Sequence, residues 1–238
     1  QVVNTGKYYI DADGKVQVHA EAAKVGDTRY ATLAEALEAV TTEEPTTIYL
    51  MNNAEFSGTL AIGTADTKRN ITITNLAGED ITLTRAEVAS MINIAAGSSL
   101  TIACSEGGTI TLDGNSSLKT PHLIKNEGTF VLETGATIQN AVTGGSKNEE
   151  PYNGGALYNM GNATIKGKFT ECSAFNGGAV FNAQNATMEV IGATFAGNVT
   201  SGGNGGAIRN LGTLTVEDSR FESNKAEGNN GGAIYTNT

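Results

Sequence analysis

Asn153-Gly154-Gly155-Ala156-Leu157-Tyr158-Asn159 is repeated almost word for word as Asn176-Gly177-Gly178-Ala179-Val180-Phe181-Asn182. It returns as Asn204-Gly205-Gly206-Ala207-Ile208-Arg209-Asn210, and again as Asn230-Gly231-Gly232-Ala233-Ile234-Tyr235-Thr236. The starts lie 23, 28 and 26 residues apart. Self-similarity at a period of roughly 20 to 50 residues marks a solenoid and outranks any local reading. After each of the first three phrases comes a small-residue turn and a β-rich alternation: Ala163-Thr164-Ile165, Ala186-Thr187-Met188-Glu189-Val190 and Leu214-Thr215-Val216. An aromatic follows each, at Phe169, Phe195 and Phe221. Three short strands per period, with no helical stripe between them, exclude leucine-rich and ankyrin-type repeats. They predict an all-β coil of parallel strands in which each repeat is one turn and buries its apolar face on its neighbours.

The pairing of Gly-Gly-Ala-Ile with Phe-x-x-Asn, as in Phe195-Ala196-Gly197-Asn198 and Phe221-Glu222-Ser223-Asn224, resembles the repeat of chlamydial polymorphic outer-membrane proteins and related β-helix surface proteins. The likeness is strong from about Asn153 onward. From Thr46 to Asn140 it is carried by strand pattern only. It implies a right-handed, pectate-lyase-like parallel β-helix displayed on a bacterial surface, and parallel crossovers are usually right-handed.

Length and composition agree with a single solenoid. The chain has 238 residues, 30 Gly, 3 Pro and no Trp, as expected for many tight turns around a core of stacked aliphatic residues. A formal charge of −10 argues against nucleic acid and against an anionic membrane surface. No apolar run approaches the length of a membrane-spanning helix, and no signal peptide opens the chain. The last repeat breaks off just after its opening phrase, so the reading is of a piece cut from a longer protein. Cys104 and Cys172 are 68 residues apart with no metal spacing around either. Cys172 takes the place of Asn198 and Asn224, so a buried thiol is expected there rather than a disulfide or a nucleophile.

Two regions follow, 1–45 as an N-terminal hairpin and capping helix and 46–238 as the β-helix. Residues 7–19 read as a hairpin around Asp13-Gly14. Thr32 and Glu35 form a capping box, and Leu33, Ala36, Leu37 and Val40 make one apolar stripe, so a helix over 32–40 should cover the first rung. Thereafter the period is two, with apolar positions inward and Thr outward, in Thr46-Thr47-Ile48-Tyr49-Leu50, Ile71-Thr72-Ile73-Thr74, Ile81-Thr82-Leu83-Thr84, Leu100-Thr101-Ile102 and Thr109-Ile110-Thr111-Leu112. About eight turns at roughly 4.8 Å each give a rod of about 40 Å. Parity puts Leu157, Val180, Ile208 and Ile234 on one face with Asn126, Asn159, Asn182 and Asn210. Those asparagines are expected to stack as a structural ladder.

The outward positions between them form the first candidate site: Lys125, Tyr158, Phe181, Arg209 and Tyr235. Aromatics mixed with cations on a flat face suit sugar rings or a partner protein. The competing reading is a ladder that merely covers the sheet. A second candidate is the set of corner connections 141–152, 199–203 and 225–229, since loops on a rigid scaffold often carry recognition. The Ca²⁺-binding Asp clusters of pectate-lyase-like enzymes and the Asn-x-Asp, Asp-Asp and Gly-His-Gly elements of polygalacturonase-like enzymes are missing. His19 and His122 read as incidental, and Glu43-Glu44 and Glu149-Glu150 as solvated loop charges. Asn-x-Ser/Thr at Asn70, Asn115, Asn162, Asn185 and Asn198 reflects turn composition. Thr arrays that could bind ice are not expected, because the Thr rows read as scattered among different strands. The expectation is therefore a non-catalytic bacterial surface adhesin-type domain, monomeric and part of a larger extracellular, cell-surface or wall-attached chain. It would bind a glycan or host protein, with no cofactor, metal, nucleic acid or membrane insertion. The alternatives are a polysaccharide-processing enzyme and a structural spacer.

Overall fold

The computed structural model describes residues 8–10, 14–18, 21–119, 121–145 and 150–237. Over these the period-two alternation becomes strand after strand, stacked in parallel. The first face holds Leu60–Ile62, Ile92–Ile94, Ile124–Asn126, Leu157–Asn159, Val180–Asn182, Ile208–Asn210 and Ile234–Thr236, each bonded to the next. The second face stacks Thr46–Leu50, Asn70–Asn75, Ser99–Ile102, Thr129–Leu132, Asn162–Ile165, Thr187–Ile191 and Thr213–Glu217. The third stacks Ala54–Phe56, Asp80–Arg85, Thr109–Asp113, Ala136–Gln139, Lys168–Thr170, Thr194–Ala196 and Arg220–Glu222. The fold is thus the parallel β-helix of right-handed type.

Seven strands per face make seven turns, where the spacing led to about eight. The difference lies in the corners. Stacked asparagines are 23 residues apart between Asn159 and Asn182 but 33 apart between Asn126 and Asn159, because the excursion after Ala141 lengthens that turn. The C-terminal turns also carry a fourth short strand that three strands per period did not foresee. Ser173–Ala174, Val199–Thr200 and Lys225–Ala226 form a small corner sheet.

Inward residues build one continuous core. On the second face it runs through Ile48, Ile73, Ile102, Leu132, Ile165 and Val190, all fully buried. On the third face Phe169, Phe195 and Phe221 stack with ring centroids 5.1 and 5.0 Å apart, which is why the aromatic recurs once per repeat.

The Gly-Gly dipeptide has a double cause. Gly177 sits at φ +57, the left-handed region that costs an L side chain strain. A Cβ on Gly178 would stand 2.2 Å from the Gly206 carbonyl oxygen of the next turn. One glycine turns the corner and the other lets successive corners touch. The alanine that follows is fully buried at Ala156, Ala179 and Ala207, and in the turns below the same inward position holds Leu123 and Met91, also buried.

The start of the coil is covered as expected by a helix, Leu33–Glu38. Thr32 caps it, its Oγ1 accepting from the Glu35 amide at 3.1 Å, while Glu35 Oε2 accepts from the Ala31 amide at 3.1 Å. The reciprocal bond of the capping box therefore lands one residue earlier than the pattern specifies. The hairpin of Tyr8–Ile10 with Val16–Val18 forms, but as a two-stranded sheet of its own. A second hairpin, Ala23–Val25 with Thr28–Tyr30, lies antiparallel on Thr46–Leu50 and closes that strand's edge. His19 and the acidic pair's Glu149 lie outside the described residues.

Candidate functional site

The outward column assembles in register. Lys125 pairs with Tyr158, Tyr158 with Phe181, Phe181 with Arg209 and Arg209 with Tyr235. The same column continues downward through Asn93 and Ala61. Strand register leaves these side chains no alternative neighbours, since a one-residue slip would turn the apolar set out and the column in.

The rings lie nearly parallel. Tyr158 and Phe181 have centroids 5.3 Å apart at 7°, and His122 continues the stack below Tyr158 at 5.2 Å and 16°. At that separation near-parallel rings are offset, so each covers much of its neighbour's face. Phe181 accordingly retains only 5% exposure, and a position predicted to face outward is effectively buried. His122, read from sequence as incidental, is buried and forms the foot of the stack. Ile124 pairs with Leu157, which sets His122 opposite Gly155, so it stands where the later turns have the second glycine of the phrase and no recurring side chain marks it.

Arg209 lies between Phe181 and Tyr235. Its guanidinium lies 6.0 Å from the Phe181 ring centre and 5.5 Å from that of Tyr235, and Nη1 donates to Asn176 Oδ1 at 3.0 Å. Burial lowers its pKa, and the neighbouring Tyr235 acts weakly the other way. Lys125, at the lower end, is ion-paired with Glu127 at 3.2 Å. The column thus presents ring edges, two phenol hydroxyls and cationic tips, not open ring faces. It can offer hydrogen bonds and cation contacts along one line. Stacking of a ligand is restricted to its ends.

Beside Lys125 the face dips. Ala61, Gly63, Asn93, Ile94, Ala95, Lys125 and Glu127 line a cavity of about 160 Å³. The dip exists because the column's aromatic positions give way to Ala61 and Asn93 in the lower turns.

The asparagines expected to be structural behave so. Asn126 Nδ2 donates to Asn159 Oδ1, Asn159 Nδ2 to Asn182 Oδ1 and Asn182 Nδ2 to Asn210 Oδ1, each at 2.7 Å, and all four residues are buried. A further ladder binds Asn198 to Asn224 at 2.9 Å, and Asn198 Oδ1 accepts from the Cys172 amide. Cys172 is fully buried, as its repeat position predicts, and desolvation pushes its thiol up to about 12. Cys104 is half-buried, and both cysteines are free thiols.

Arg85 is a residue that sequence reasoning missed. It is 1% exposed and donates to the carbonyls of Gly114, Leu118 and Pro121, which ties these three points of the corner together. Burial lowers its pKa, and Asp113 opposes this. Its sequence setting, Thr-Leu-Thr-Arg, reads as the outer end of an ordinary strand.

The threonines are not scattered, contrary to expectation. Thr72, Thr101, Val131, Thr164, Glu189 and Thr215 form one column of the second face, and Ser99, Thr129, Asn162, Thr187 and Thr213 its neighbour. Val131 and Glu189 interrupt the hydroxyl lattice, and Glu189 places a charge in it. The corner connections 199–203 and 225–229 lie one on the other, with Val199 paired to Lys225 and Asn229 Nδ2 donating to Gly202 O, and Val142 bridges to Ser173, which pairs with Val199; residues 146–149 lie outside the described set. Among the described residues no group of three His, Cys, Asp or Glu could hold a metal ion, and no helix is long and apolar enough to cross a membrane.

A family model described as the Chlamydia polymorphic membrane protein (Chlamydia_PMP) repeat matches residues 218–237. That stretch holds Phe221, Asn224 and the Gly231-Gly232-Ala233-Ile234 phrase, one complete Phe-x-x-Asn to Gly-Gly-Ala-Ile step. The chain therefore carries a repeat of this type on a parallel β-helix. No curated protein and no solved structure matches the chain.

Proposed function

We propose that this chain is a non-catalytic domain displayed on a bacterial surface, where it adheres to a glycan or protein of a host or neighbouring cell. The observation that carries the reading is the in-register column ending in Tyr158, Arg209 and Tyr235 on a rigid face. Seven stacked turns hold these tips at strand spacing, so a ligand that meets them loses its own freedom while the protein loses little. The matched repeat belongs to a family named for a membrane protein of Chlamydia, which supports the surface location; attachment to the cell wall belongs to the proposal itself. The corner loops are the second surface available, since they border the same first face at the Gly-Gly turns.

The test is a broad glycan and cell-binding array, with the chain beside a variant carrying Tyr158→Phe, Arg209→Met and Tyr235→Phe. These changes keep the packed stems and rings but remove the polar tips. Binding by the parent that falls about tenfold or more in a variant of unchanged melting temperature supports the column. Binding unaltered by the variant removes these tips as the site and leaves the corner loops and the foot of the column, below Tyr158. An absence of binding to every glycan and cell surface overturns the adhesin reading in favour of a spacer.

A further inference from the structure

We propose that the dip at the foot of the column is a subsite for a single neutral hexopyranose, a proposal that rests on the adhesin reading and narrows it.

Size comes first. A cavity of about 160 Å³ is well below the roughly 300–1,000 Å³ of pockets that enclose drug-sized ligands, so it takes one sugar ring and not an oligosaccharide. Its walls are built for a small guest. Ala61 and Asn93 stand in the column where higher turns have Tyr158 and Phe181, and Gly63 and Ala95 lie beside them. Gly63 cannot be enlarged, because a Cβ there would meet Ser98 Oγ at 2.1 Å. Its φ of +76 adds backbone strain to any larger residue there, so this part of the lining stays small.

Polarity comes second. Lys125 Nζ and Glu127 Oε1 sit 3.2 Å apart on the cavity rim, with side chains 28% and 44% exposed. An ammonium and a carboxylate side by side offer a donor and an acceptor to adjacent hydroxyls of a pyranose, one of which accepts from Lys125 while its neighbour donates to Glu127. Asn93, exposed and one strand below Lys125, adds an amide that both donates and accepts. Such charge-assisted bonds are among the stronger kinds.

Charge decides the class of sugar. The rim pair is neutral as a whole, and the chain carries a formal −10. For a uronic or sialic acid, attraction to Lys125 and repulsion from Glu127 offset each other, which leaves the like-charged field of the whole chain against it, while a neutral hexose meets no such opposition. The dip also lies next in register to Tyr158, so a glycan whose end ring enters it would run up the column's hydroxyl and guanidinium tips.

The experiment titrates ¹⁵N-labelled protein with methyl glycosides of glucose, galactose, mannose and N-acetylglucosamine, and with methyl glucuronide as the anionic comparison. Amide shifts are followed for the parent, Glu127→Gln and Ala61→Tyr. Ala61 is exposed, so the tyrosine fills the dip without entering the core. The expected result is a millimolar neutral sugar whose shifts centre on residues 61–63, 93–95 and 125–127. That binding should weaken about tenfold in Glu127→Gln and vanish in Ala61→Tyr. Methyl glucuronide should bind more weakly than the neutral glycosides. Shifts elsewhere on the surface, shifts that persist in Ala61→Tyr, preference for the glucuronide, or no shifts with any glycoside would each overturn the proposal. Array binding that survives Ala61→Tyr but is lost in the column variant would leave the adhesin standing and remove only this subsite.

Discussion

Replacing Asn159 by alanine tests whether the amide ladder holds the coil together. Asn159 is fully buried, and its Nδ2 donates to Asn182 Oδ1, Gly161 O and Thr187 O at 2.7, 3.3 and 3.2 Å, while its Oδ1 accepts from Asn126 at 2.7 Å. The amide has two hydrogens, so the two longer contacts share one of them, and alanine removes three bonds in effect. Asn126 keeps a second acceptor in Asn162 O, and Gly161 O still accepts from the Thr187 amide, so these losses are softened. Asn182 Oδ1 loses the donor from the turn below. An orphaned buried acceptor costs about 1–3 kcal/mol and each further lost bond about 0.5–1.5 kcal/mol net, giving about 3–5 kcal/mol in total. For a chain of this size that is a fall of about 6–20 °C in melting temperature. Circular dichroism melts of the parent, Asn159→Ala and the exposed outward control Asn162→Ala measure it. Because each turn contacts only its neighbours, hydrogen exchange should quicken first in the rungs of Asn126 and Asn182. A midpoint within about 2 °C of the parent, or an equal fall in Asn162→Ala, would refute the ladder's role.

Glycine substitutions should separate close approach from backbone conformation. Gly178→Ala drives a Cβ toward the Gly206 carbonyl and should lower the melting temperature far more than Gly192→Ala, where φ is +62 but nothing lies within 4 Å and the cost is about 1–2 kcal/mol. Equal effects would mean that the corner can open to admit a methyl. Alkaline pH should weaken the fold through Cys172. Its thiol is raised from 9.0 to about 12 in the folded chain, so the unfolded state loses its proton first and the stabilisation, whole below 9, declines as pH rises from there toward 12. Denaturation midpoints of the parent and Cys172→Ala across that window check it, and parallel pH profiles would contradict the assignment. In native protein at pH 8, a thiol reagent should label the half-buried Cys104 and spare Cys172 until unfolding.

The candidate site was legible where it repeats and illegible where it does not. Lys125, Tyr158, Phe181, Arg209 and Tyr235 share a phase in the repeat, and phase alone put them in one column. What phase cannot convey is how side chains one turn apart fill the space between them. Phe181 is sealed by its stacked neighbours, which an alternating pattern has no means to express. His122 joins the stack from a corner, and Arg85 reaches across to a later corner, each through contacts that span more than 30 residues and follow no period. The threonines looked scattered because turns of unequal length carry them, and only the pairing of strands cancels those differences.

Sequence alone determined the parallel coil, its inward aliphatic and asparagine columns, the Gly-Gly corner and the helix that starts it. Each rests on a local rule repeated once per turn: the strand's period of two, the left-handed corner and the capped helix. Tertiary structure decided the seven turns, the fourth corner strand, the capping hairpin Ala23–Val25 with Thr28–Tyr30, and the dip beside Lys125. These depend on which residues from different turns come to lie on one another, and that is set by corner lengths and by the volume of every side chain below.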